Sequence, residues 1–168
     1  MSAEKIFQTK NFKNEGKQDE NITVKRMNTA FLKSIVDRKF AVPDNYEVAQ
    51  LTPALINNLG AVEWELRDYS YMILSSWIWG WYDRTYYSTE ELKQLGNVAK
   101  NNIKIGLGDI ENDSVFLRTY SILLLNDLTD FDRQHPYLEE REIRDRLKLY
   151  LTYLEREDEN SLHQTKFY

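Results

Sequence analysis

Hydrophobic residues recur at intervals of three and four along most of the chain, which is the spacing of an α-helix that buries one face. This spacing and the breaks between periodic stretches predict six helices. The predicted helices cover residues 22–38, about 52–59, 62–81, about 88–105, 113–130 and 139–157. No segment shows sustained alternation of polar and apolar residues, so we expect essentially no β-sheet.

Residues known to cap helices mark several of the predicted helix starts. Thr52 precedes a proline, as expected for a hydroxyl cap followed by proline in the first turn. Ser88 has Glu91 three positions later, which predicts a capping box. Asp113 is expected to cap the fifth helix.

The last predicted helix is the most amphipathic stretch of the chain. Its pattern predicts an inward face made of Ile143, Leu147, Tyr150, Leu151 and Leu154. The face toward water would hold Arg144, Asp145, Lys148, Glu155 and Arg156. We therefore expect the leucines to pack against the preceding helices.

Residues 66–74 and 117–125 form an internal repeat with an offset of 51 residues, and five of the nine positions are identical. Each copy is followed by a turn and a second helix, an arrangement typical of α-solenoids. Two amphipathic helices could share such a pattern for packing reasons alone, but the common order Leu-Arg-x-Tyr-Ser favours a true repeat. We predict an all-α fold of stacked antiparallel helical hairpins, a HEAT-like α–α superhelix.

The length of 168 residues is typical of one domain. Residues 1–21 are polar and lack periodicity, so we expect a flexible polar arm. Residues 22–157 would form the single helical-repeat domain, and residues 158–168 a polar tail.

Charge and composition limit the kinds of partner that we expect and indicate the cellular compartment. The net charge is −5 and basic residues are scattered among acidic ones, which disfavours a nucleic-acid partner or an anionic membrane. No apolar stretch is long enough to span a membrane, and the first residues lack the apolar core of a signal peptide. The absence of cysteine fits a reducing compartment. We expect a cytoplasmic protein.

Several short segments, in their order along the chain, resemble the bacterial family called domain of unknown function 2785. The resemblance begins near Phe31 and includes residues 40–43, 59–61, 65–68, 87–92, 113–118 and 137–138, together spanning about three-quarters of the chain. It implies an all-helical, HEAT-like fold without an assigned activity, so it transfers no catalytic residue. Family members continue past the equivalent of Leu154 into another helical stretch, which implies that this chain lacks the family's C-terminal part.

An aromatic cluster surrounds the end of the third predicted helix. It consists of Trp77, Trp79, Trp81, Tyr82, Tyr86 and Tyr87. Residues 77 and 81 share a helix face while residue 79 points elsewhere, so the three tryptophans cannot all enter one core. The cluster could form a partner surface or ligand pocket, or it could pack at the helix end, which is the commoner role of aromatic residues.

Arg67 and Arg118 occupy equivalent positions in the repeat, and stacked hairpins would bring them to one side of the molecule. There they could bind a carboxylate or phosphate of a ligand. Pairing with an acidic neighbour is the commoner role. The candidates for such pairing are Glu63, Asp68, Asp113 and Asp127.

No constellation of side chains predicts catalysis, a metal site or a cofactor. Asp109, Glu111 and Asp113 alternate in a loop, but the glycine and distant glutamate of a calcium-binding loop are missing. The two histidines, His135 and His163, show no metal-ligand spacing.

The leading hypothesis is a protein-interaction or scaffold module, since helical repeats bind partners along an extended surface. The alternative is a small-ligand binder or enzyme that uses the region Trp77–Tyr87 together with the two arginines. The candidate surface for either role is Trp77, Trp81, Tyr82, Tyr86, Arg67 and Arg118. A solenoid that stops leaves an apolar terminal face, so we also expect a homo-oligomer through an exposed terminal hairpin.

Overall fold

The computed structural model describes residues 27–80, 85–108 and 113–164, with side chains described up to residue 157. Within these ranges the regular structure is six helices without a strand, which confirms the predicted all-α fold. The helices are α1 (Thr29–Asp37), α2 (Val48–Asn58), α3 (Trp64–Trp79), α4 (Thr89–Ile103), α5 (Ser114–Gln134) and α6 (Glu140–Gln164).

Helix α3 lies at the centre of the packing. It contacts α1, α2 and α5, while α4 packs against α5 and α6. The two helices that carry the repeated sequence, α3 and α5, therefore lie side by side. This packing is compatible with stacked hairpins, and the HEAT-like superhelix stays a prediction.

The core is formed by aliphatic side chains and one tryptophan that exclude solvent completely. They include Leu32, Ile35, Leu55, Leu59, Ile73, Leu74, Trp77, Ile78, Leu95, Ile103, Leu125 and Leu128. These residues come from α1 to α5, so the hydrophobic effect joins these five helices into one unit.

Helix α2 begins at Val48, and the predicted start at Thr52 was wrong. A capping box formed by Glu47 and Gln50 starts the helix one turn earlier, with the Gln50 side chain accepting the N–H of Glu47 at 2.8 Å. Thr52 instead donates its hydroxyl to the Val48 carbonyl at 2.7 Å, and Pro53 lies inside the helix.

The other helix ends follow the prediction in part. The Ser88–Glu91 capping box is confirmed, with a Glu91 carboxylate oxygen 2.8 Å from the Ser88 N–H. Asp113 occupies the predicted N-cap position of α5, but its side chain makes no capping hydrogen bond, so only the position is confirmed. Helix α1 begins at Thr29, where Asn28 caps the N–H of Phe31 at 2.9 Å, and residues 22–26 of the predicted helix lie outside the described residues.

The predicted inward face of the last helix was wrong for its leucines. Leu147, Leu151 and Leu154 are 54%, 61% and 62% exposed, whereas Arg146 is only 2% exposed. The side chains that pack against the core are Leu149, Tyr150 and Tyr153. The five residues predicted to face water are exposed as expected: Arg144, Asp145, Lys148, Glu155 and Arg156.

A glycine in α4 accounts for this rotation of α6. A β-carbon at Gly96 would lie 2.6 Å from the Nη2 atom of Arg146, so the missing side chain leaves room for the guanidinium. One turn earlier in each helix, Lys93 and Glu142 form an ion pair at 3.0 Å. These contacts hold residues 142 and 146 against α4 and turn the leucines away from it.

Candidate interaction surface

Two members of the aromatic cluster, Trp77 and Tyr87, are core residues. Trp77 is 0% exposed, and its Nε1–H donates to the carbonyl oxygen of Phe40 at 2.8 Å. Tyr87 is buried as well, and its hydroxyl lies 2.9 Å from the Thr52 hydroxyl. Burial raises the pKa of Tyr87, so the phenol stays neutral. Both rings fix the ends of helices to one another.

Tyr86 is the member of the candidate set that is exposed near the end of α3. Its ring contacts Trp77 with centroids 6.4 Å apart and is 41% exposed. It borders an open depression of about 420 Å³. The depression is lined by Lys39, Phe40, Ser75, Ser76, Trp79, Gly80 and Tyr86. Trp81 and Tyr82 lie outside the described residues.

A half-buried carboxyl, Asp127 of α5, lies next to this region. Its Oδ2 atom is buried without a hydrogen-bond partner among the described residues. Desolvation raises the pKa of Asp127, and the neighbouring Ser75, Tyr71 and Trp79 side chains of α3 partly offset that rise. Burial, with the Asp127 charge adding to it, raises the pKa of Tyr71 to about 12. The cluster joins α3 to α5 and has one unpaired acceptor oxygen.

Arg67 is buried and binds the backbone of the loop that precedes its own helix. Its Nη1 donates to the carbonyl oxygens of Ala61 at 2.7 Å and Val62 at 2.6 Å. The guanidinium also lies 4.0 Å from the centroid of the Phe116 ring, a cation–π contact with α5. Arg67 therefore holds a loop and joins two helices.

Arg118 has the same task at the equivalent position of the repeat. Its Nη1 donates to the Ile105 carbonyl at 3.1 Å and to the Ser114 hydroxyl at 2.6 Å, which anchors the segment leading into α5. Its Nε donates to Glu157 of α6 at 2.6 Å, and the arginine side chain is 2% exposed. Neither arginine lines the depression. Asp68, one of the acidic partners expected for them, accepts a hydrogen bond from the Tyr120 hydroxyl instead.

Arg146 is a buried cation that the sequence analysis missed. Its Nη1 donates to the Thr129 hydroxyl at 3.1 Å, while its Nε has no hydrogen-bond partner among the described residues. Burial and the nearby Arg146 charge lower the pKa of Lys100 on α4. Gly96 was the available sequence signal, because glycine inside a helix often marks a close approach.

The leucines that α6 turns away from the core form an apolar row, which we call the leucine stripe: Leu147, Leu151 and Leu154. Their spacing of four and three residues places them on one side of the helix. Charged residues border the stripe. Arg144 precedes it and is paired with Glu140 at 2.6 Å, and the exposed Glu155 follows it. The stripe is the most strongly exposed apolar row on any described helix.

No group of three or more histidine, aspartate or glutamate residues lies close enough to hold a metal ion in the described part of the chain. Asp109 and Glu111 of the candidate calcium loop lie outside it, as does the side chain of His163. The ring of His135 packs on Phe131 with centroids 4.8 Å apart. None of the described helices is long and apolar enough to cross a membrane.

Comparison with known proteins agrees with the resemblance seen in the sequence. A family model described as "Protein of unknown function (DUF2785)" matches residues 103–162, from the last residue of α4 through α5 and most of α6. The predicted family resemblance is confirmed over this part of the chain. No curated protein and no solved structure matches the chain.

Proposed function

We propose that this chain is a protein-interaction module and that the leucine stripe is its interaction surface. The proposal rests on the exposure of the stripe: each of its three leucines is more than half exposed, although the other side of the same helix is packed. Single exposed leucines are common on protein surfaces. A contiguous row of them leaves apolar surface in water at a free-energy cost that a partner would remove.

The form of the stripe indicates what kind of surface would cover it. Apolar anchors at positions i, i+4 and i+7 are the pattern by which one helix lies in a groove or against another helix. The charged residues beside the stripe, among them Arg144 and Glu155, resemble the polar rim around the apolar centre of an interface.

The same proposal places the module in the cytoplasm of a bacterium. The cysteine-free sequence is what a reducing compartment favours. The resemblance to a bacterial family supports a bacterial origin of the protein.

The test is an affinity capture with the intact chain and two matched variants. Leu151→Glu puts a charge in the centre of the stripe, and Leu123→Glu does the same at a leucine of α5 that is 39% exposed outside it. We expect bound proteins to be retained by the wild type and by Leu123→Glu and lost with Leu151→Glu. Equal capture by all three, with unchanged circular dichroism, would reject the stripe as the interaction surface.

The depression near Tyr86 supports a second candidate function, the binding of a small molecule. Its volume is within the range of ligand pockets, and Lys39, Ser75 and Tyr86 offer polar groups along an apolar wall. Arg67 and Arg118, the other members of the predicted ligand surface, bind backbone carbonyls and do not line the depression. A compound that raises the melting temperature of the wild type but not of Tyr86→Ala would support this function.

A further inference from the structure

We infer that the leucine stripe binds the leucine stripe of a second copy of this chain, with the two α6 helices antiparallel about a two-fold axis. The inference rests on the proposed function, because it takes the stripe to be an interaction surface and names the partner. Its basis is the pattern of charge along α6.

Arg144 and Glu155 lie at opposite ends of the stripe and on the same side of the helix. Arg144 comes three residues before Leu147, and Glu155 comes one residue after Leu154. They are separated by eleven residues, and eleven residues make about three full turns of an α-helix. The two side chains therefore project in nearly the same direction, next to the leucine stripe.

We place the two-fold axis of the antiparallel pair between residues 149 and 150. In this register the charges of the two copies are paired and their leucines are in contact. Arg144 and Glu155 are equally distant from this axis, so each arginine would lie opposite the glutamate of the other copy. Leu147 and Leu151 are also nearly symmetric about it, so Leu147 of one copy would lie against Leu151 and Leu154 of the other. The midpoint of the leucine stripe, between residues 150 and 151, lies one residue from this axis, so the register that pairs the charges also brings the leucines of the two copies close together.

This self-complementarity is what favours a second copy over an unrelated partner. In a two-fold interface residue i of one chain contacts residue j of the other, and j contacts i in return. One surface must then carry both members of each charge pair at equal distances from the axis, as this stripe does. A partner of different sequence has no need of such symmetry.

Both charges are free to take part. The side chain of Arg144 is 65% exposed, and its present partner Glu140 is 86% exposed. An exposed pair within one helix contributes little, so Arg144 can exchange it for a carboxylate in an apolar interface. Glu155 is exposed and forms no ion pair with any described residue.

The experiment is sedimentation equilibrium of the intact chain over a range of concentrations. The wild type should reach about 40 kDa, twice its 20.1 kDa. Leu151→Glu should remain at the mass of one chain, while the control Leu123→Glu should behave as the wild type. Arg144→Glu and Glu155→Arg should each weaken the dimer at least about tenfold, because symmetry places two like-charge contacts in the interface. The double variant Arg144→Glu/Glu155→Arg should restore it.

Each outcome decides one part of the inference. A wild type of 20.1 kDa at every concentration overturns the dimer, and a dimer that survives Leu151→Glu overturns the role of the stripe. Failure of the double charge exchange to restore association overturns the antiparallel register. The affinity capture separates this inference from the proposed function. If the wild type is a monomer whose bound proteins are lost with Leu151→Glu, the interaction surface stands and only its partner is different.

Discussion

Gly96 and Arg146 show how one missing side chain can position a charge inside the molecule. The guanidinium of Arg146 is buried at the point of α4 where no β-carbon fits. Its hydrogen bond to Thr129 comes from α5, so residues of three helices meet around it. A buried cation is tolerated only where its polar neighbours offset the loss of water.

Gly96→Ala should therefore destabilise the chain, although alanine favours a helix by about 1 kcal/mol over glycine. Displacing a buried guanidinium costs more than this, so we expect a net loss of about 1 to 2 kcal/mol in the free energy of unfolding. In an Arg146→Ala background the same substitution should be neutral or stabilising by up to about 1 kcal/mol. Urea denaturation of the four proteins measures this coupling, and additive effects would contradict the contact.

The raised pKa of Asp127 predicts how the stability of the fold changes with pH. Its pKa in the folded protein is raised above 3.8, so the folded state binds the proton more tightly than the unfolded state. The contribution of Asp127 to stability is then present below pH 3.8 and declines as the pH rises through the raised pKa. Asp127→Asn should remove this decline and gain stability relative to the wild type between about pH 4 and pH 7. Because solvent screens the half-buried group, the gain should be less than about 1 kcal/mol.

The measurement is urea denaturation of wild type and variant across that pH range. Asp44→Asn is the control, because this side chain is exposed in the loop before α2 and lies outside the Asp127 cluster. A stability difference between wild type and Asp127→Asn that does not change with pH would contradict the prediction.

At the scale of the helix, local signals predicted much of the fold, and contacts between helices decided the rest. The Ser88–Glu91 capping box is written in four consecutive residues and was read correctly. The orientation of α6 was predicted wrongly. The periodicity of α6 alone places its leucines inward, but Gly96 of α4 leaves room for Arg146 instead. A pattern within one helix cannot report which neighbour leaves room for which side chain.

The junction between α5 and α6 depends on one carboxylate. Asp132 is 7% exposed, and its Oδ1 accepts the N–H groups of Tyr137 and Leu138, each at 2.7 Å. Asp132→Ala leaves two donors without this acceptor, and we expect a loss of about 2 to 3 kcal/mol in the free energy of unfolding. Asp130→Ala, two residues earlier, should change it by less than about 0.5 kcal/mol. Thermal denaturation of the two variants compares them, and equal shifts would contradict the role of Asp132.

At the scale of the whole molecule, the repeat was the most informative feature of the sequence. It correctly indicated that Arg67 and Arg118 are equivalent, and both arginines prove to anchor the segment that leads into their own helix. Their burial could not be predicted, because the Arg118 partner Glu157 lies 39 residues away and comes from another helix. The use of Arg67 and Arg118 as a ligand surface stays a prediction.

The last helix should be the least stable part of the described fold. The outer face of α6 packs against none of the other described helices, and local stability depends on the contacts that a segment makes with its neighbours. Glu157→Gln removes the charge that pairs with Arg118, so amide hydrogens of residues 150–157 should exchange about tenfold faster, with those of α3 unchanged. Glu140→Gln, which alters an exposed pair of the same helix, should have no effect. Faster exchange throughout the chain would show that the pair stabilises the whole fold instead.

Each helix packs mainly against helices that are near it in the sequence, and this affects how fast the chain can fold. The side-chain hydrogen bond between Asp68 of α3 and Tyr120 of α5 joins positions 52 apart, which is about one repeat of the sequence. Bringing α3 and α5 together therefore closes a loop of about one repeat, and the entropy lost in closing a loop grows with its length. Helical proteins, whose contacts are on average closer along the chain than those of β-proteins, fold within microseconds to milliseconds. A newly made chain could thus pack its first helices together before the last ones have been synthesised.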